Sequence, residues 1–203
     1  MITTTDFITH CLRRAERWRA WAFVRGVLAT LCLMLAFASP AAAEGIVVRN
    51  AKFELADDTW QVSADFDIHF TPTLQEAVNR GVPLYFIIEF EVRQPRWYWR
   101  DKKNIVATRE RRIAYAPLTQ QYRLSVGNFS QNISGFDELK RQLSSLRGWE
   151  VSAKDSLKPG EQYEASLRMR LDTSQLPRPF QVSVVASRDW TLSSDWYRWN
   201  VTP

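Results

Sequence analysis

Apolar and polar residues alternate along much of this chain, most cleanly where Trp60, Val62, Ala64, Phe66, Ile68 and Phe70 interleave with Gln61, Ser63, Asp65, Asp67 and His69. Side chains of a strand point to opposite faces in turn, so 60–70 predicts a strand with one buried and one wet face. The same rule puts Leu84, Phe86, Ile88, Phe90 and Val92 on the inner face of another strand, with Tyr85, Ile87, Glu89, Glu91 and Arg93 outside. Pro95 stops that strand, 96–101 forms a turn, and a return strand over 104–115 completes a long hairpin. There Arg109, Arg111 and Arg112 are expected beside Glu89 and Glu91 as cross-strand charge pairs.

Further strands are expected over 46–55, 121–126, 163–171, 180–187 and 196–201. The first is irregular: Ile46, Val48 and Asn50 share one parity, while Val47, Arg49, Ala51, Phe53 and Leu55 share the other. Two short helices interrupt the series. Thr73 as N-cap with Glu76 three residues on predicts one, closed by Gly81 in a left-handed conformation. Ser134 as cap with Asp137 predicts the second, burying Phe136, Leu139, Leu143 and Leu146 and ending at Gly148. The fold expected is all-β, an antiparallel immunoglobulin-like β-sandwich of seven to eight strands with one or two short helices, and a closed barrel is its main rival.

Charge changes the picture at the N-terminus. The net charge of +5 suggests an anionic partner, yet residues 1–43 hold five arginines against Asp6 and Glu16. Of 27 basic and 22 acidic residues, 22 and 20 then remain, a net of only +2. That argues against nucleic acid as the partner. The leader reads as a signal peptide, with basic residues over 13–25, an apolar run over 26–37, and Ala41-Ala42-Ala43 for a peptidase. Cleavage after Ala43 leaves one domain over 44–203, exported to the periplasm by the general secretory route with no stable membrane span. Uncleaved, the charge-free stretch 26–43 would instead anchor the chain in the inner membrane. Ala15, Glu16 and Arg17 stand where a twin-arginine signal has apolar residues after its Arg13-Arg14 pair. Both cysteines, Cys11 and Cys32, lie in the leader, so the mature chain can form no disulfide, thiolate metal site or cysteine nucleophile.

The chemistry of the mature chain is sparse. His69 is its single histidine, and Asp65, Asp67 and His69 form D-x-D-x-H on one strand face. Same-face neighbours are about 6.5 to 7 Å apart, so all three cannot reach one ion. No G-x-S-x-G elbow and no glycine-rich phosphate loop occurs. The expectation is a protein that is not an enzyme and uses no cofactor or metal. What stands above background is aromatic and cationic residues together: Arg96, Trp97, Tyr98, Trp99 and Arg100 in the hairpin turn, and Trp190, Trp196, Tyr197, Arg198 and Trp199 near the end. Such rings anchor protein contacts, stack on sugars, or pack internally with an arginine over a tryptophan. The binding surface expected is Arg96, Trp97, Tyr98, Trp99, Arg100, Trp196 and Trp199, engaging an envelope or membrane-sensor protein. The alternative is a carbohydrate-binding module that stacks those rings on glycan or peptidoglycan.

The run from Leu74-Gln75-Glu76-Ala77-Val78-Asn79-Arg80-Gly81-Val82-Pro83-Leu84-Tyr85-Phe86, the turn Arg96-Trp97-Tyr98-Trp99-Arg100-Asp101 and the tryptophan-rich close over 190–199 together resemble a family of uncharacterised exported proteobacterial proteins. It is described as a domain of unknown function, at times as a "proline-rich signal peptide protein". The resemblance covers nearly all of the mature chain. It implies a periplasmic location in a Gram-negative bacterium and, by gene neighbourhood, an accessory role beside a sensor histidine kinase. It carries over no catalytic residue.

Overall fold

Alternation builds the strands, and their apolar faces make the core. A computed structural model describes residues 45–95, 102–178, 180 and 187–203. Strands β1 (Ile46–Ala56) and β2 (Thr59–Ile68) form a hairpin whose Asp57 and Asp58 both take positive φ, as a type I′ turn demands. Helix α1 (Pro72–Asn79) leads to β3 (Leu84–Gln94) and β4 (Lys102–Ala116). Then come β5 (Gln121–Val126), β6 (Phe129–Ile133), helix α2 (Phe136–Leu143), β7 (Ser145–Ala153), β8 (Tyr163–Leu171) and β9 (Tyr197–Val201). All pairings are antiparallel, in a three-stranded sheet ordered β1-β2-β7 and a six-stranded sheet ordered β6-β5-β4-β3-β8-β9.

This is the expected sandwich, with nine strands among the described residues rather than seven or eight. Named A, B, C, C′, C″, D, E, F and G in chain order, the strands give A-B-E facing D-C″-C′-C-F-G. That is the variable-type immunoglobulin arrangement with one change, since the sixth strand pairs with the fifth instead of lying beside the seventh. The core lies between the sheets. Leu84, Phe86, Ile88, Phe90 and Val92 of β3 are fully buried, and Phe53 and Phe70 reach them from the other layer with ring centroids 5.1 Å from Phe90 and 5.9 Å from Phe86. Among the described residues no helix is long and apolar enough to cross a membrane.

Several local expectations are corrected. The irregular parity of β1 is a bulge at Arg49, where the register with β2 slips; beyond it Ala51 and Phe53 join Ile46 and Val48 on the inner face. Helix α1 is capped by Thr71, not Thr73: the Thr71 hydroxyl accepts from the Leu74 N–H at 3.2 Å, and Pro72 takes the first helical position, where its missing N–H costs nothing. Gly81 does close this helix, at φ 86°, with Gly81 N–H on the Val78 carbonyl and Val82 N–H on that of Ala77. Helix α2 starts after Gly135 without a side-chain cap and stops at Leu143. Leu146, Arg147 and Gly148 belong to β7, where Gly148 at φ 52° sits in a register shift against β2. Of the strand expected over 180–187, residues 181–186 lie outside the described residues.

The charge pairs also fall differently. Glu89 stands opposite Thr108 and Glu91 opposite Val106, whereas Arg109 faces Ile88 and Arg111 faces Phe86. Opposed residues share a face, so these two arginines point inward and Arg112 stacks over Tyr85 at 5.7 Å. Glu89 is instead bound by Arg168 and Arg170 of β8, and Glu91 by Arg93 and Lys103.

Candidate functional site

The two aromatic and cationic stretches are joined through the six-stranded sheet. Arg96, Trp97, Tyr98, Trp99 and Arg100 lie outside the described residues, but the strands that enter and leave them do not. Gln94 pairs with Lys102 at the mouth of the turn, and the Gln94 amide donates to Glu161 at 2.8 Å. One row inward, Arg93 is opposite Glu164, which is opposite Asn200; in the next row Val92 is opposite Ala165, which is opposite Trp199. Only β8 separates β3 from β9. With strands about 4.8 Å apart, the Gln94 end of β3 and the Val201 end of β9 lie about 10 Å from one another.

Trp196 and Trp199 fall on opposite faces. Trp199 is half-buried on the inner side, its ring centroid 6.1 Å from Phe90 and 5.6 Å from Tyr197. Trp196, also half-buried, is on the outer side with the Arg168 guanidinium 4.5 Å over its ring. That guanidinium is held by Glu89, so Glu89 of β3, Arg168 of β8 and Trp196, just before β9, form a stack, beside which Arg198 approaches Glu164 at 3.9 Å. Glu91 below is under opposing pulls: burial raises its pKa, and hydrogen bonds from Lys103 and Arg93 outweigh that and hold it below the usual carboxylate value. The structure thus presents an outer face of arginines tied down by carboxylates, with one tryptophan laid among them. Trp190 is elsewhere, buried against Phe180.

The D-x-D-x-H face belongs to the other sheet. Asp65 is bound by Arg147 and Asp67 by Arg49, each at 2.5 Å, and exposed His69 is 3.7 Å from Asp67. The Arg49 hydrogen bond holds the Asp67 carboxyl below its usual range. Among the described residues no three histidine or acidic side chains converge as a metal site. Asp65 also lines an open groove of about 490 Å³ against α2, with Asp137, Lys140, Arg141, Ser144 and Ser145.

Besides β7, two features escaped the sequence reading. One is β6, an uncharged strand whose signal was the Gly127-Asn128 pair between Val126 and Phe129, a two-residue hairpin turn. The other is Arg111, buried on the inner face, which donates to the carbonyls of Leu143 at 2.8 Å and Gln142 at 3.3 Å and so closes the C-terminus of α2. Burial and the neighbouring Arg109 push its pKa down to about 10.

Residues 43–200 match a family described as a domain of unknown function, DUF4390, and the chain belongs to that family. No curated protein and no solved structure matches it.

Proposed function

We propose that this DUF4390 domain is an exported accessory module of a Gram-negative cell envelope that carries out no catalysis and works by binding another protein, the extracytoplasmic part of a membrane sensor histidine kinase being the kind of partner meant. Its basic and apolar leader, with alanines at 41–43, supports the periplasmic address. The binding reading is supported by the strand order, in which only β8 separates β3, the strand leading into the first aromatic and arginine-rich stretch, from β9, which carries Arg198 and Trp199 of the second. Tryptophan, tyrosine and arginine are the side chains that most often dominate the energy of protein contacts, since each combines a large apolar surface with a polar handle.

Two further observations weigh in. Arg168 covers one face of Trp196, so that face is closed to a sugar ring. Three carboxylates on the outer faces, Asp65, Asp67 and Glu89, are each engaged by an arginine, Arg147, Arg49 and Arg168, which favours a role for them in holding the surface over acid–base chemistry. The test is retrieval of partners from envelope extracts with the wild-type chain and with a folded Trp97→Ala/Trp99→Ala variant. Loss of a specific protein from the variant's profile is expected; identical profiles would remove the site.

A further inference from the structure

Among the described residues the sandwich has four edge strands, and three are guarded against strand addition. β1 carries Arg49, Lys52 and Glu54 and is kinked by its bulge; β7 carries Arg147 and Glu150 and slips register twice; β9 carries Arg198 and runs into Pro203. β6 has none of these devices. Its residues Phe129, Ser130, Gln131, Asn132 and Ile133 hold no charge and no proline, its register with β5 is unbroken, and Phe129 is 86% exposed. We infer that β6 is the edge by which a second copy of this chain adds, antiparallel, across a two-fold axis through Gln131.

The pairing geometry carries this. Gly127, at φ 55°, is the first central residue of a two-residue turn, so Val126 and Phe129 form the hydrogen-bonded pair that closes the hairpin. Hydrogen-bonded and open pairs alternate along an antiparallel ladder, which turns the backbone groups of Phe129, Gln131 and Ile133 toward β5 and those of Ser130 and Asn132 outward. Among the described residues neither Ser130 nor Asn132 has a backbone partner outside that ladder. A two-fold at Gln131 sets Ser130 against Asn132 of the second copy and Asn132 against its Ser130, so all four outward groups of each copy are satisfied at once. The same register sets exposed Phe129 opposite Ile133 of the second copy, which is already buried in its own core at 3% exposure, so the backbone pairing and not this pair carries the contact. Nothing in β6 offers a counter-charge to select an acidic or basic strand, whereas its own sequence meets itself with no like charges opposed. The two six-stranded sheets become one continuous sheet.

The test is sedimentation of the full chain in mild detergent with Cys11 and Cys32 reduced. Wild type is expected to pass from one-copy to two-copy mass as concentration rises. Ser130→Pro removes an outward N–H from each copy without touching the β5 ladder, and should weaken association about 30-fold. Gln131→Lys and Gln131→Glu each oppose like charges at the axis and should weaken it by up to about fivefold, while their equimolar mixture regains or exceeds wild-type association. Near-ultraviolet circular dichroism checks that each variant keeps its packing, and the charge pair decides if Ser130→Pro unfolds. A wild type that stays at one-copy mass, a dimer indifferent to both charge variants, or a mixture no better than either variant alone overturns the inference.

Discussion

β3 and β4 are neighbours in one sheet, yet their inner faces differ. That of β3 is hydrocarbon throughout, with Leu84, Phe86, Ile88, Phe90 and Val92 at 0% exposure. Opposite them β4 offers Ile113, Arg111, Arg109, Ala107 and Ile105, two cations in the middle of a core-facing row. The difference lies in what covers each strand. β3 is central and meets the rings of Phe53 and Phe70, whereas β4 sits where the narrower sheet gives out and is met by Trp149 of β7 and the C-terminus of α2. Arg109 lies 5.9 Å from the Trp149 ring, and Arg111 supplies donors to two carbonyls at the C-terminal end of the helix. Alternation assigns a side chain to a face; the element on that face decides whether it must be apolar.

Truncating the β3 face should have the largest effect. Phe90→Ala leaves a void between the sheets and is expected to cost about 3 to 5 kcal/mol in denaturant unfolding. Arg111→Met comes next. Two charge-assisted hydrogen bonds are lost, at about 1.5 to 3 kcal/mol each, while removal of a buried cation returns part of that, for a net loss of about 2 kcal/mol. Amide exchange should then quicken in the last turn of α2 and not in β3. If Arg111→Met matched Phe90→Ala, or left α2 unchanged, the contrast between the two faces would fail.

The same contrast recurs at smaller scale on β9. Trp199→Ala, on the inner side against Phe90, should cost about 2 kcal/mol, since the ring is only half-buried. Trp196→Ala, on the outer side, forfeits little beyond its contact with Arg168 and should cost about 1 kcal/mol or less. The smallest effect belongs to the wet face of β2. Because Arg49 holds Asp67 below 3.8, the folded chain keeps that carboxylate charged at a pH where an unfolded chain has protonated it. The stabilisation is therefore whole above 3.8 and is lost as pH falls through the lower folded value. Asp67→Asn should cost under about 1 kcal/mol at neutral pH, and urea titrations of variant and wild type should draw together as pH falls below 3.8.

These contrasts also mark what the sequence could disclose. β2 and β3 were legible residue by residue, because each is half-buried along its whole length and one face is uniformly apolar. β1 was legible as a strand but not in its parity, since a bulge inserts one residue without changing composition. β7 was hidden behind α2: Leu143 and Leu146 are three apart, as a helix stripe requires, but the chain turns at Ser144 and Leu146 is buried by pairing opposite Ala64 instead. The inward turn of Arg109 and Arg111 had no local signal at all, because the carbonyls that accept from Arg111 lie in a helix thirty residues on. Of the expected surface, Trp196 and Trp199 were legible as a pair on one segment, but their offset of three residues puts them on opposite faces.

The binding proposal requires that the outer face of the six-stranded sheet, and not the outer face of the other sheet, meets a protein partner. A photo-crosslinking residue placed at 196, and in a second strain at exposed Val47 on β1, tests it in living cells. A discrete crosslinked protein is expected from position 196 and none from position 47. Equal yields from the two positions, or crosslinking from 47 alone, would contradict it.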